Sequence, residues 1–367
     1  MPKTMVNYLD DLTTLLRPAG GGIYVVSTGL SEQRELQRAL YGAVDDAGID
    51  LAWRAALERL PTARAVILGV PSDVGAGYLR GANQGPAALR RTLLSRGPRS
   101  PDTPHTIDVG DVRVVPQLLS DDMLSQAQLG DCREALYGSR ETSLPASPLD
   151  ITRRVLDLLA DYAPQAVPLV LGGDHSVGWP AFASAQARGQ RLGLLHFDAH
   201  TDLLETRLGI RYCFATWAYH ANELLLRDGR LVQVGIRASG RDRAHWESTL
   251  GVRQYWATEC EGRSVVEIGD EIIERFHARG VEAVYVSNDI DGTSSEFAAA
   301  TGTPEPLGLR PDFVMALTEH VLGAFPLAGA DLVEVAPSLG HALNGEPERT
   351  LGVAVDYLVQ LERLASR

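Results

Sequence analysis

Six short apolar runs, each broken off by Gly, Asp or Pro, recur through most of this chain and leave little freedom in what it can fold into. They are AVILGVPSD (65–73), AVPLVLGGDH (166–175), RLGLLHFDAH (191–200), RLVQVGIR (230–237), VEAVYVSNDID (281–291) and ADLVEVAP (330–337). Helical stretches lie between them, among them SPLDITRRVLDLLADYA, SVVEIGDEIIERFHARG and RPDFVMALTEHVLG. Strands alternating with helices form βαβ units, so the pattern predicts an α/β fold with a mostly parallel sheet and helices on both faces. Runs that are apolar at nearly every position fit strands covered on both sides. A chain of 367 residues, 45% of them hydrophobic, can fill one large core of this kind.

The alternation starts near Ala63. Residues 1–62 therefore read as an N-terminal helical extension and 63–367 as the catalytic domain. Ser31 to Leu60 is rich in helix formers, with Ser31 placed as an N-cap and Glu32 in the first turn, where an acidic side chain suits the helix dipole. Such a segment is expected to pack on the core or on a neighbouring subunit. The polar stretch from about 115 to 148 reads as a surface excursion, partly helical.

A net charge of −13 argues against a nucleic-acid partner, which would need clustered Lys and Arg. The three cysteines, Cys132, Cys213 and Cys260, are widely spaced and odd in number, so they suggest neither a disulfide framework nor a CxxC metal site. No run approaches ~18 uncharged apolar residues, so no membrane partner is expected. Together these features predict a cytoplasmic location.

The chemistry-bearing residues collect at strand ends, where ligands bind in open α/β sheets. One run ends Asp198-Ala-His200-Thr-Asp202 and another ends Asp289-Ile-Asp291. In an extended chain, positions i, i+2 and i+4 share a face, which would set these side chains next to one another. A third run ends Gly172-Gly-Asp-His175, where the glycines are expected to allow a tight turn that aims His175 into the same crevice. Four carboxylates at one site raise one another's pKa unless cations compensate. Two imidazoles and four carboxylates, without a thiolate, suit Mn²⁺ or Ni²⁺. A pair of such ions can lower the pKa of bound water toward ~7.

GGDHS (172–176), DAHTD (198–202), SNDIDGT (287–293) and ATGTPEP (300–306) resemble the signatures of the ureohydrolase (arginase/agmatinase) family. The resemblance covers roughly 63–367 and implies a three-layer α/β/α sandwich, assembled as a homotrimer or homohexamer. It implies two divalent metal ions per subunit. His175, Asp198, Asp202 and Asp289 would hold one, and Asp198, His200, Asp289 and Asp291 the other. A hydroxide bridging them would attack the carbon of a small cationic guanidino substrate, releasing urea with ammonia or an amine. Glu334, in DLVEVAP, would grip the planar guanidinium, a cation whose fork a carboxylate can accept. Asp174 is expected to be structural.

The chain also departs from the family pattern. Where the family has a shuttle histidine shortly after its DAHTD-like motif, this chain has Phe214 within Arg211-Tyr-Cys-Phe-Ala-Thr-Trp217. His220 is the nearest substitute as an acid/base or substrate contact, the other reading being a core or interface histidine. Trp217, on the same helical face, is read as a cation–π wall for the guanidinium or as a buried structural Trp. Cys213 is read as packing, and Arg237 as structural or pocket-lining. The usual DIDxxDP becomes Asp291-Gly-Thr-Ser294-Ser295. These changes resemble the bacterial guanidine hydrolase branch, which implies nickel and a substrate of free guanidine or a small alkylguanidine. Agmatine, guanidino acids and formimidoylglutamate remain open, and so does a non-catalytic supporting subunit of a mixed oligomer. A zinc deacetylase would use one Asp-His-Asp site, whereas here a full second set is present.

Overall fold

The computed structural model describes residues 5–97 and 105–367. Its nine strands are β1 (Leu16–Arg17), β2 (Ala65–Val70), β3 (Thr106–Val112), β4 (Val167–Gly172), β5 (Leu192–Phe197), β6 (Leu231–Ile236), β7 (Arg253–Trp256), β8 (Ala283–Asp289) and β9 (Leu327–Val333). They form one sheet in the order β1-β3-β2-β4-β9-β8-β5-β6-β7. All neighbouring pairs run parallel except β1 with β3. Each of the six runs identified in the sequence supplies a strand. β1, β3 and β7 were not anticipated, because they are short or carry too many polar residues to stand out.

Because side chains alternate across a strand, the sheet feeds two apolar layers. Val66, Leu68 and Val70 of β2 pack with Trp53, Val155, Leu159, Phe182 and Trp217. Ala65 and Ile67 of the same strand pack on the opposite face with Leu89, Ile272, Leu317 and Leu358. The helices Pro148–Tyr162 and Gly178–Ala187 cover the first face, and Val265–Ala278, Pro311–Ala324 and Glu346–Ala365 cover the second. This is the three-layer α/β/α arrangement. After β4 the chain crosses to β5, builds outward through β6 and β7, then returns so that β8 and β9 fill the gap. The crevice at this reversal lies beyond the carboxyl ends of β4, β9, β8 and β5.

Residues 5–62 do not stand apart from this sheet. Their helices are Met5–Leu15, Leu30–Tyr41 and Asp46–Glu58, and β1 pairs with the β3 edge. Trp53 is buried and its Nε1 donates to the carbonyl of Val109 at 2.9 Å. Ser31 is not the N-cap. The helix begins at Leu30 after Gly29, whose φ of 84° makes the entry turn, so Ser31 falls in the first turn. The 115–148 excursion contains a helix, Gln126–Tyr137, entered through a Ser125/Gln128 capping box.

Candidate active site

β4 and β5 stop just short of the ligand-type residues and β8 ends on the first of its own, Asp289, so short side-chain turns do the placing. Asp198 Oδ1 accepts from the His200 N–H at 2.6 Å, Asp289 Oδ1 from the Asp291 N–H at 2.8 Å, and Asp174 Oδ1 from the Ser176 N–H at 2.8 Å. In each case an Asp at the strand end caps the backbone two residues on, a local bond open to short carboxylates. The expectation of an extended run with i, i+2 and i+4 on one face is therefore corrected. β5 ends at Phe197 and β8 at Asp289, and Asp202 has a φ of 52°. The glycines of GGDH are likewise not needed for a turn, since neither has positive φ. They are needed for space: a Cβ on Gly173 would lie 1.8 Å from the Ser72 carbonyl, and one on Gly172 2.5 Å from Val333.

All six expected ligands meet. His175 Nδ1 lies 3.1 Å from Asp289 Oδ2, 3.2 Å from Asp198 Oδ2 and 3.3 Å from Asp202 Oδ2. His200 Nδ1 lies 3.1 Å from Asp291 Oδ2 and 3.5 Å from Asp198 Oδ1. All are buried except His200, which is half-buried. Among the described residues no Lys or Arg side chain pairs with any of these four carboxylates.

The electrostatics show what the cluster lacks. Burial, with Asp291 and Asp198 adding repulsion, pushes the Asp289 carboxyl well above the usual range. Burial and then Asp198 raise Asp202 as well. Burial also acts to raise Asp198, but hydrogen bonds from His175, His196 and His200 outweigh it and hold this carboxyl well below the usual range. Burial would lower His200, yet its bonds to Asp198 and Asp291 push it up to about 12. Protons thus sit where cations would relieve the same repulsion, and a mixed N/O donor set of this kind fits divalent ions.

Glu334 closes the crevice from the end of β9. Its φ of 61° is unusual for a side-chain-bearing residue. Its N–H donates to the Gly173 carbonyl at 2.8 Å, while Glu334 Oε1 accepts from the His175 N–H at 2.9 Å. Burial, then the Asp174 charge, raise its pKa well above the normal value. Gly302 lies over the carboxylate, where a Cβ would come within 3.5 Å of Oε2. Burial raises Asp174 itself to about 6, against bonds from Ser176.

Two expected contacts need correction. Trp217 is not a wall for a substrate cation, because it is fully buried. Its ring stacks on His175 at 4.5 Å, and Nε1 donates to Asp202 Oδ2 at 3.0 Å, so it backs the ligands from behind. His220 does not reach the cluster. Its Nε2 is bonded to the carbonyls of Arg211 (3.0 Å) and Glu205 (3.1 Å), and its ring packs among Trp179, Tyr212 and Tyr219. There it fastens the 205–211 loop. Phe214 lies against Gly77 with Arg207 5.1 Å above its ring, on the wall of a cavity of about 590 Å³ beside the 74–78 loop. Arg237 is structural, donating to the carbonyls of Asp291 (2.7 Å) and Pro306 (3.0 Å). Cys213 is buried in packing.

Sequence reasoning missed His196, Ser287 and Asp331. His196 Nε2 lies 2.8 Å from Asp198 Oδ2, and His175 Nε2 lies 2.9 Å from Ser287 Oγ, which donates to Asp331 Oδ1 at 2.7 Å. The available signal was a polar residue inside an otherwise apolar strand.

A family model described as the arginase family matches residues 63–361. The chain is 32% identical over 277 residues to mitochondrial guanidino acid hydrolase of Homo sapiens, covering 74% of this chain and 71% of that protein. It is 33% identical over 285 residues to mitochondrial agmatinase of Gallus gallus, covering 74% of each. The solved structure of proclavaminate amidinohydrolase from Streptomyces clavuligerus superposes with a TM-score of 0.66 at 29% identity, covering 83% of this chain and 94% of that one.

Proposed function

The chain belongs to the arginase family, and from that premise we propose that it hydrolyses a C–N bond of a cationic guanidino compound at a two-metal centre. The observation that carries this reading is a group of His and Asp donors, unpaired with any Lys or Arg among the described residues, joined through His175 to a buried carboxylate at Glu334. His175, Asp198, Asp202 and Asp289 would hold one ion, and Asp198, His200, Asp289 and Asp291 the other. Two such ions supply a nucleophile by acidifying water and neutralise the clustered carboxylates.

The chain's own residues bind and orient the substrate. Glu334 Oε2 accepts from the planar guanidinium, while Oε1 stays anchored to the His175 N–H. Gly302 leaves room for a flat cation over this carboxylate. Water adds to the guanidinium carbon, one C–N bond breaks, and the leaving nitrogen takes the proton. The products are urea and ammonia or an amine.

For the substrate, free guanidine or a small alkylguanidine is the first choice, with nickel as the ion and manganese the alternative. An aromatic ring at Phe214, packed on Gly77, supports it by filling space with an apolar group. Arg207 supports a second reading, a guanidino acid whose carboxylate meets this cation at the cavity wall.

The test is release of urea and ammonia from guanidine, methylguanidine, agmatine, guanidinobutyrate and arginine, with the protein loaded separately with Ni²⁺ and Mn²⁺. Turnover of guanidine or methylguanidine ahead of the others is expected. A preference for guanidinobutyrate would establish the second reading, and no turnover with both ions bound would refute the enzymatic one.

A further inference from the structure

A row of buried polar side chains crosses the sheet beside the ligand cluster, with Ser287 and Asp331 on β8 and β9 and a second arm running outward from β5. His196 of β5 and Gln233 of β6 are register partners, as are Gln233 and Gln254 of β7, and all three are buried. Trp256, two residues along β7 and half-buried, ends the row. The contacts are continuous. Trp256 Nε1 lies 3.1 Å from Gln254 Oε1, and Gln254 Nε2 lies 2.8 Å from Gln233 Oε1. Gln233 Nε2 lies 3.0 Å from His196 Nδ1, and His196 Nε2 lies 2.8 Å from Asp198 Oδ2.

Elementary donor and acceptor rules fix the direction of every bond in this row. The two ends of an amide, and the proton on an imidazole, must be deduced from their partners. An indole N–H can only donate, so the Gln254 atom facing Trp256 is its oxygen. Its NH₂ then faces Gln233, whose oxygen accepts. From the other side, Gln233 Nε2 also lies 2.7 Å from the Thr201 carbonyl oxygen, which can only accept. Two independent constraints therefore orient Gln233 the same way. Facing an NH₂, His196 Nδ1 must be the acceptor, and the ring proton lies on Nε2, aimed at Asp198.

We infer that this row is a directional relay, running from Trp256 at the sheet edge to Asp198, that holds His196 as a donor and so positions a carboxylate shared by both ions. It rests on the two-metal reading above. His196 is then a positioning residue and not a ligand, although it lies among the ligands, because Gln233 engages its one free lone pair. Asp198 is fixed from two sides, with Oδ2 bound by His196 and Oδ1 by the His200 N–H.

The test reverses the polarity of the row. Gln233→Glu sets a carboxylate against both His196 Nδ1 and the Thr201 carbonyl. Partners that orient metal ligands typically contribute about 10- to 100-fold to metal affinity, and a loss of that size for Mn²⁺ is expected from competition with a chromogenic chelator. Trp256→Phe keeps an aromatic ring and removes the donor that orients Gln254, while the Thr201 carbonyl still orients Gln233, so it is expected to weaken Mn²⁺ binding by a smaller factor and to leave the His196 tautomer unchanged. Ring ¹⁵N spectra of histidine-labelled full chain report the tautomer, with the His196 signal identified by its loss in His196→Gln. In Gln233→Glu, weaker binding together with loss of the Nε2–H pattern supports the relay. In the same variant, weaker binding with that pattern intact overturns it, as do two folded variants that bind Mn²⁺ as tightly as wild type. If Gln233→Glu does not fold, the ring ¹⁵N spectrum of the wild-type chain decides, since a His196 proton on Nδ1 would overturn the relay and one on Nε2 supports it. A wild-type chain that binds no Mn²⁺ or Ni²⁺ would instead refute the two-metal reading itself.

Discussion

Glu334→Gln separates charge from shape at the proposed guanidinium contact. The Gln oxygen can keep the 2.9 Å bond from the His175 N–H, so the β4–β9 junction survives. What changes is the other position. Oε2, beside Gly302, becomes an NH₂ that faces the donors of a guanidinium. One hydrogen bond to a charged group contributes about 1.5–3 kcal/mol. At about 1.36 kcal/mol per tenfold, the loss in kcat/KM is about 10- to 150-fold. Metal content should be unchanged, because Glu334 is not a ligand. The stability effect has the opposite sign. Burial and Asp174 raise the Glu334 pKa above 4.5, so the folded, substrate-free protein loses stability as pH rises from that value through the folded pKa. The Gln variant should therefore unfold at a higher temperature than wild type at pH 8 and at the same temperature near pH 4. Steady-state kinetics and thermal scans at the two pH values measure both effects. A variant within about twofold of wild type in kcat/KM on every guanidino substrate, well short of the loss of one such bond, would refute the guanidinium contact.

Three further outcomes are expected. Arg90→Met removes a buried guanidinium bonded to Asp108 at 2.8 Å by two nitrogens and to buried Asp111. Stranding these carboxylates should cost about 3–5 kcal/mol in denaturant unfolding, and a cost below about 1 kcal/mol, no more than an exposed pair contributes, would refute the account. Metal uptake should tighten as pH rises from 6 to 9, since protons on Asp289, Asp202 and His200 must leave. These raised pKa values stabilise the metal-free protein at low pH and cease to do so as pH rises, so the gap in melting temperature between loaded and metal-free protein should widen, and a constant gap would contradict it. His220→Leu should leave metal content unchanged and lower kcat only modestly. A loss of about 100-fold or more, the scale of general acid–base catalysis, would reinstate His220 as a catalytic residue.

The metal cluster was legible because ligand-type residues at strand ends are chemically conspicuous, and all six meet as expected. The local geometry was not legible. Spacing of two residues fits both a pleated strand and an Asp-capped turn, and the strands stop before the turn takes over. Helical periodicity placed Trp217 and His220 on one face but could not show where that face points. Trp217 meets the back of His175, while His220 meets the 205–211 loop. β7 escaped notice because Arg253 and Gln254 interrupt any apolar run, yet Gln254 is buried by virtue of its partners on β6 and on its own strand.

The central position of β9 has a consequence in time. β4 and β8 are neighbours of β9 and not of each other, so until residues 327–333 are in place the two halves of the sheet share no strand pairing. The bond between His175 and Glu334 closes a separation of 159 residues, and contacts so distant in sequence form late and slowly. A chain whose β9 has not yet paired therefore carries every expected metal ligand, but with His175 at the end of β4 still unjoined to the ligands of β5 and β8, which pair directly. The completed centre therefore waits for β9, and ion capture by the full set follows the pairing of this strand and does not precede it.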